Sequence, residues 1–109
     1  MARDKGLEEL VNDGLGSIPG LTQKAMFGGW AWIVNGNLLC GARVGSMLVR
    51  LGRESESWAL KIPGAIPMMI RERRMQGWVK AAAEVYGDDQ LRQRLLDAAI
   101  EFNKTLPKK

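Results

Sequence analysis

The chain has 109 residues, of which 46% are hydrophobic and 26% are charged. This length is near the usual size of one domain, and the composition is ordinary for a globular protein, which excludes a disordered chain and a fibrous repeat. We therefore predict one domain over residues 1–109. The net charge of +4 is compatible with a nucleic-acid or acidic partner, and equally with an ordinary basic surface.

The inventory of reactive side chains is short, because the sequence has no histidine and one cysteine, Cys40. Ser-His and Cys-His nucleophile pairs and imidazole metal sites are excluded, and a lone thiol holds neither an internal disulfide nor a metal. We expect Cys40 to be a buried, inert thiol in a strand, and we expect no cofactor. No export signal or membrane-spanning run is evident, so we expect a cytoplasmic protein that does not bind membranes.

The chain begins with a predicted helix and four strands. Asp4 is a predicted N-cap, and the apolar residues after it recur at helical spacing until Gly14 and Gly16: Leu7, Leu10, Val11 and Leu15. Strands are predicted over residues 22–27, 30–34, 38–43 and 47–51. Asn35-Gly36 joins the second strand to the third, because a type I′ turn needs positive φ at both of its central residues. Four sequential strands of this kind predict an antiparallel meander.

The second half predicts a short helix over residues 53–61 and a longer terminal helix. Asp88 is the predicted N-cap of that helix, Pro107 follows it, and one face is apolar: Leu91, Leu95, Ala99, Phe102 and Leu106. Between the two helices, residues 66–86 fit a helical period, but Gly77 and Trp78-Val79 fit a strand as well. The element order predicts an α+β fold, with helices at the N-terminus, middle and C-terminus on an antiparallel sheet.

Tryptophans mark the predicted second strand. Trp30 and Trp32 point to one face of this strand while Ala31 and Ile33 point to the other, so both faces are apolar. A helix packed on the sheet is the favoured explanation. The alternative is that Trp30, Trp32 and Trp78 contribute to an interface with another chain, since tryptophan is enriched in interfaces.

Four short motifs together carry a resemblance. They are residues 26–29 (MFGG), the Asn35-Gly36 turn, residues 48–50 (LVR), and residues 74–79 (RMQGWV) before the terminal helix. In order and spacing, over about residues 5–105, the chain resembles the N-terminal domain of the TfoX/Sxy family. The resemblance implies that residues 75–82 form a further strand of the sheet. It also implies a link to bacterial competence, in which full-length regulators promote transcription alongside a partner activator.

The same family limits what can be transferred to this sequence. Its regulators carry a second, C-terminal domain that the 109 residues lack, so we expect a stand-alone domain whose role in competence is open. The family has no established catalytic residues, and none are assigned here. The carboxylates fall mostly where helices begin, and the glycines form no phosphate-binding motif.

One cluster of basic residues is a candidate site. Arg71, Arg73 and Arg74 lie close in sequence, and Arg50 is expected nearby across the sheet, with Arg43 and Arg53 as further neighbours. Arginine binds phosphate and carboxylate groups through two hydrogen bonds at once, so the cluster suits a nucleic-acid backbone or an acidic partner. Glu72 interrupts it, and a solvated basic loop is the alternative.

Three hypotheses follow for the function. The first is a non-enzymatic regulatory or protein-interaction domain, whose sheet or arginine loop docks a protein partner or a second copy to form a homodimer. The second is an accessory nucleic-acid-binding domain that uses the arginine loop, with strongly salt-dependent binding. The third is a small-ligand binder or an enzyme, which requires a deep pocket with a perturbed carboxylate or Cys40 at its rim.

Overall fold

A six-stranded antiparallel sheet forms the centre of the computed structural model, which describes residues 3–26 and 28–108. The strands are β1 (Leu21–Met26), β2 (Gly29–Val34), β3 (Asn37–Arg43), β4 (Ser46–Arg50), β5 (Ala65–Ile70) and β6 (Arg73–Ala82). Their order across the sheet is β1-β2-β3-β4-β6-β5. The predicted meander is confirmed as β1 to β4, and β6 pairs with β4, which places β5 at one edge.

In the described part of the chain, four helices accompany the sheet: α1 (Lys5–Leu15), α2 (Arg53–Ala59), α3 (Ala83–Tyr86) and α4 (Asp89–Lys104). The predicted N-caps are confirmed, since Asp4 Oδ1 accepts a hydrogen bond from Leu7 N and Asp88 accepts from the first turn of α4. Gly14 lies inside α1, which ends at Gly16 with a φ of 63°. No helix among the described residues is both long and apolar enough to cross a membrane.

The predicted α+β class is confirmed, and several boundaries are refined. Asn35 and Gly36 have φ values of 53° and 83°, as the predicted type I′ turn requires. The strand predicted over residues 75–82 begins two residues earlier, at Arg73. Phe27, at the end of the predicted first strand, lies outside the described residues. The edge strand β5 and the short helix α3 were not predicted.

The main hydrophobic core lies between the sheet and helices α1 and α4. Trp32 has no exposed surface, and its indole N–H donates to Asn12 Oδ1 of α1 over 2.8 Å. Around it pack apolar side chains of both helices and of the facing strands: Leu7, Val11, Val34, Leu39, Val49, Val79, Leu95, Leu96 and Ala99. The prediction that a helix covers the tryptophan face of β2 is therefore confirmed. On the opposite face, a second and smaller cluster contains Leu48, Met68 and Trp78.

Candidate interaction surface on the β5–β6 hairpin

The ladder between β5 and β6 is interrupted close to the hairpin turn. Pro67 pairs with Val79, but Met69 pairs with Arg74, so residues 75–78 of β6 lie opposite Met68 alone. Gly77 has a φ of 83°, which favours glycine, and its carbonyl accepts hydrogen bonds from the backbone N–H groups of Leu51 and Gly52. We call residues 68–76, which lie beyond this bulge, the arm.

Glu56 of α2 holds the arm at its root. Its Oε1 accepts a hydrogen bond from Arg74 Nη2 over 3.1 Å, and its Oε2 accepts from the backbone N–H of Gly77 over 2.8 Å. The Glu56 side chain is 13% exposed, whereas that of Arg74 is 40% exposed. The carboxylate therefore satisfies a buried backbone donor as well as pairing with a surface arginine.

Trp78 anchors the arm on the face of the sheet that α1 and α4 leave uncovered. It is 6% exposed and packs with Leu48 of β4 and Met68 of β5. Leu38 and Met75 pack against this cluster and are partly buried. Because Leu48 alternates with Met47 and Val49 along β4, its side chain points away from the main core. The arm is thus fixed to the sheet by side chains on the face opposite the main core.

Along β5 and at the hairpin turn of the arm, apolar and basic side chains are exposed. Ile66 is 52% exposed, Met69 is 49% exposed and Ile70 is 43% exposed. Arg71 and Arg73, at the hairpin turn, are also exposed, and neither forms an ion pair with any described residue. We call these five side chains the arm patch. Side chains alternate along a strand, so Ile66 and Ile70 point to one side of β5 and Met69 points to the other. Scattered single exposed hydrophobic residues are normal on a protein surface, but three exposed large ones on one short edge strand indicate an interaction site.

The predicted arginine cluster is divided between different environments. Arg71 and Arg73 lie at the tip of the arm, whereas Arg74 is bound to Glu56. Arg50 lies over the ring of Phe102, with 5.5 Å between the guanidinium carbon and the ring centroid. The two further neighbours are elsewhere: Arg43 donates to Ser46 Oγ in the β3–β4 hairpin, and Arg53 begins α2. Of the predicted cluster, Arg71 and Arg73 are therefore the exposed pair at the tip of the arm, while Arg53 is exposed at the start of α2.

The three predicted interface tryptophans are largely enclosed by the fold. Trp32 is in the main core, and Trp78 lies beneath the arm. Trp30 is half-buried, with the guanidinium of Arg3 4.1 Å from its ring centroid and its indole N–H bonded to Gln23 Oε1 over 2.7 Å. Trp32 has no accessible surface for a partner, because α1 and α4 cover it.

A comparison with protein-family models gives a match to the TfoX N-terminal domain over residues 13–103. The chain belongs to this family. No curated protein and no solved structure gives a significant match. The TfoX N-terminal domain suggests a competence-type or regulator-type function for the chain, and the matched residues include the whole sheet, the arm and most of α4.

Groups with chemical reactivity are sparse in this TfoX N-terminal domain. Cys40 is buried in β3, which confirms the predicted burial of this cysteine in a strand, and burial raises the pKa of its thiol. The hydrogen bond from Arg3 to Glu8 raises the pKa of the Arg3 guanidinium. Within residues 3–26 and 28–108, no group of three or more Cys, Asp or Glu side chains is arranged to hold a metal ion.

Among the described residues of the TfoX N-terminal domain, a groove and a smaller cavity border α4. An open groove of about 780 Å³ runs between α2 and α4, beside Trp58 and Phe102, and the guanidinium of Arg94 lies 4.3 Å from the Trp58 ring centroid. A smaller cavity of about 240 Å³ lies beneath the C-terminal end of α4, against β2 and β3. Asn103 lines this second cavity.

Sequence reasoning missed the apolar half of the arm patch. Ile66, Met69 and Ile70 lie in β5, which Pro67 and the lack of apolar-polar alternation obscured. A signal was nevertheless present, since a proline within an apolar run indicates an edge strand. No sequence pattern indicated that Glu56 contacts the arm, because it lies 21 residues from Gly77 in sequence.

Proposed function

We propose that this domain is a non-enzymatic protein-interaction module of a regulatory type, and that it docks an acidic, partly apolar segment of another protein on the arm patch. One observation carries the proposal: Ile66, Met69 and Ile70 are exposed beside two exposed arginines, on a hairpin that is anchored to the sheet. Arginine beside exposed apolar side chains suits a partner segment in which carboxylates alternate with apolar residues.

Side chains, rather than strand addition, are the expected mode of docking. A peptide that adds to a sheet edge needs free backbone N–H groups along that edge. In β5, Pro67 has no N–H, and the N–H of Ala65 already donates to the carbonyl of Ile62 over 3.0 Å. Proline on an edge strand is a known protection against unwanted strand pairing. The arm patch is therefore expected to bind through its apolar and guanidinium groups.

A different protein is a better partner than a second copy of this chain. A twofold dimer through the arm would place the patch against itself. Arg71 and Arg73 of both copies would then lie in one interface, and like charges brought together in an interface are unfavourable. The chain as a whole has a net charge of +4, which adds to the repulsion. Charge complementarity thus favours an acidic partner over a homodimer.

A random peptide library displayed on phage tests this proposal. The library is selected on the wild-type domain and counter-selected on the variant Ile66→Ser/Met69→Ser/Ile70→Ser. We expect the enriched peptides to combine Asp or Glu with apolar residues, and to lose at least tenfold in affinity for this variant. Val44→Ser is the matched control, because Val44 is 62% exposed but lies in the β3–β4 turn. Peptides that bind the triple variant as well as the wild type would contradict the proposal.

The nucleic-acid hypothesis is tested on the same arginines. Binding to a mixed duplex DNA pool is measured over a salt series with the wild type and with Arg71→Asn/Arg73→Gln, where Asn is chosen because Arg71 has a φ of 57°. Phosphate contacts give binding that falls steeply with salt and depends on the arginines but not on Ile66 or Ile70. That pattern would mean that the arginines of the arm bind DNA rather than an acidic protein segment.

A further inference from the structure

Charged side chains are distributed unequally between the strands and the helices. The six described strands contain six basic residues and no Asp or Glu, whereas the four described helices contain nine carboxylates and five basic side chains. The basic residues of the strands are Lys24, Arg43, Arg50, Arg73, Arg74 and Lys80. The sheet is therefore the positive part of the domain, and the helices are its negative part.

Basic residues of the strands lie on the face of the sheet opposite the helices. Each described helix contributes to the main core, so all four cover the same face: Leu7 of α1, Ala59 of α2, Val85 of α3 and Leu95 of α4. Successive side chains along a strand point to opposite faces. Lys80 follows the core residue Val79, so it points away from the helices. Lys24 pairs with Ala31, which precedes the core residue Trp32, so it points the same way.

One row of paired residues crosses this face from β1 to β6. We call the surface that the row defines the helix-free face, and the row is Lys24, Ala31, Gly41, Leu48 and Lys80. Neighbouring strands are about 4.8 Å apart, so the backbones of Lys24 and Lys80 are separated by about 19 Å across the sheet. Two cations therefore flank a stretch of small and aliphatic residues.

The lysines of the helix-free face are available to a ligand. Lys24 is exposed, Lys80 is half-buried, and neither forms an ion pair with a described residue. Arg43, which lies two residues along β3 from Gly41, adds a guanidinium to the same face and donates to Ser46 Oγ. The helix-free face thus presents three basic groups on a part of the sheet that carries no strand carboxylate.

We infer that the helix-free face binds the phosphate backbone of duplex DNA. Ammonium and guanidinium groups bind phosphates, and such contacts hold a protein on a duplex without reading its sequence. Lysine side chains are long and flexible. Two backbones about 19 Å apart can therefore place their ammonium groups on the two phosphate chains that border a major groove about 12 Å wide.

The rest of the domain supports a duplex in this orientation. The carboxylates of the helices repel phosphates on the opposite side, so the separation of charge turns the helix-free face toward the DNA. Between the two lysines, Ala31, Gly41 and Leu48 offer no ring on which an unpaired base could stack, which favours a duplex over a single strand. The site shares no residue with the arm patch, so the inference does not depend on the protein partner proposed above.

Fluorescence anisotropy with a labelled duplex of mixed sequence, over a salt series, tests the inference. We expect Lys24→Gln/Lys80→Gln to lose at least tenfold in affinity at low salt. The slope of log K against log salt should fall by about 2, because two phosphate contacts are removed. Lys5→Gln/Lys61→Gln is the matched control, since it removes the same charge from two exposed lysines beside the helices. It should bind within twofold of the wild type.

A further variant keeps the test decisive if the change at Lys80 disturbs the sheet. Lys24→Glu reverses one exposed charge at an edge strand, so it should keep the fold, as circular dichroism will show, and should also lose at least tenfold in affinity. The inference is overturned if the wild type does not bind the duplex at low salt, or if the matched control loses as much affinity as Lys24→Gln/Lys80→Gln. It is also overturned if Arg71→Asn/Arg73→Gln abolishes binding while the lysine variants do not, or if a single strand of the same length binds more tightly.

Discussion

The two faces of the sheet are covered in different ways. On one face, helices α1 and α4 enclose Trp32 and the main core. On the other face, a small cluster of Leu48, Met68 and Trp78 fixes the arm, and apolar side chains beyond it stay exposed. The first face is expected to supply most of the hydrophobic stabilisation, because that stabilisation grows with the apolar area removed from water. The second face keeps apolar groups in reach of a partner.

The difference implies that folding and binding can be separated by mutation. Substitutions on the helix-covered face should change the free energy of unfolding of the whole domain. Substitutions in the arm patch should change binding and leave stability almost unaltered. Substitutions at the root of the arm, at Glu56 or Gly77, should have an intermediate effect on the free energy of unfolding. They should loosen the arm more than the main core.

The largest expected effect is that of Trp32→Ala. This change empties a fully buried site and leaves Asn12 without its indole partner, so it should lower the free energy of unfolding by about 3–5 kcal/mol. Urea unfolding followed by circular dichroism measures the loss. A loss below about 1 kcal/mol, the range of surface substitutions, would mean that the helix-covered face does not dominate stability.

A smaller effect is expected from Gly77→Ala at the bulge. A Cβ at this position would lie 3.1–3.3 Å from the backbone of Gly52 and Arg53, and the φ of 83° is unfavourable for alanine, so the cost should be about 1–3 kcal/mol. Gly45→Ala is the matched control, since Gly45 has a φ of 84° and open space around it. Equal losses for the two variants would show that the close approach of β6 to Gly52 is unimportant.

Removal of the Glu56 carboxylate should loosen the arm. Glu56→Ala leaves the buried N–H of Gly77 without an acceptor, so it should cost about 1–3 kcal/mol. Arg74→Gln removes only a pair that is 40% exposed at the arginine, so it should cost less than about 1 kcal/mol. Hydrogen exchange at Gly77 and Trp78 distinguishes the variants. Faster exchange for Arg74→Gln than for Glu56→Ala would mean that Arg74, rather than Glu56, holds the arm in place.

The smallest effect on stability is expected in the arm patch. Ile70→Ser changes a side chain that is 43% exposed, so the free energy of unfolding should stay within about 0.5 kcal/mol of the wild type. Thermal unfolding by calorimetry measures this, and the peptides selected on the wild type should bind the variant more weakly. A large loss of stability would place Ile70 in the folding core and remove it from the patch.

Local signals in the sequence predicted much of the fold. Asn35-Gly36 defined the hairpin between β2 and β3, and Asp4 and Asp88 marked the starts of α1 and α4, because turns and caps depend on a few neighbouring residues. The strand β5 was missed because Pro67 interrupts its pattern and an edge strand needs no strict alternation. Local signals therefore failed at β5, because its conformation depends on pairing with β6 more than on the residues next to it in sequence.

The candidate sites depend on contacts between distant parts of the chain. The pair Arg71 and Arg73 was predicted, but its separation from Arg74 follows from Glu56, which only the tertiary fold brings to the arm.

The central claim, that the arm patch is a docking surface for another protein, is tested most directly by site-specific photo-cross-linking in the cells that make the protein. A photoreactive amino acid is placed at Ile70 and, as a control, at Val44, which is also apolar and exposed but lies in the β3–β4 turn. We expect one discrete protein adduct from position 70, absent from position 44 and lost when Ile66 and Met69 are changed to Ser. No protein adduct from position 70, or the same adduct from both positions, would contradict the claim.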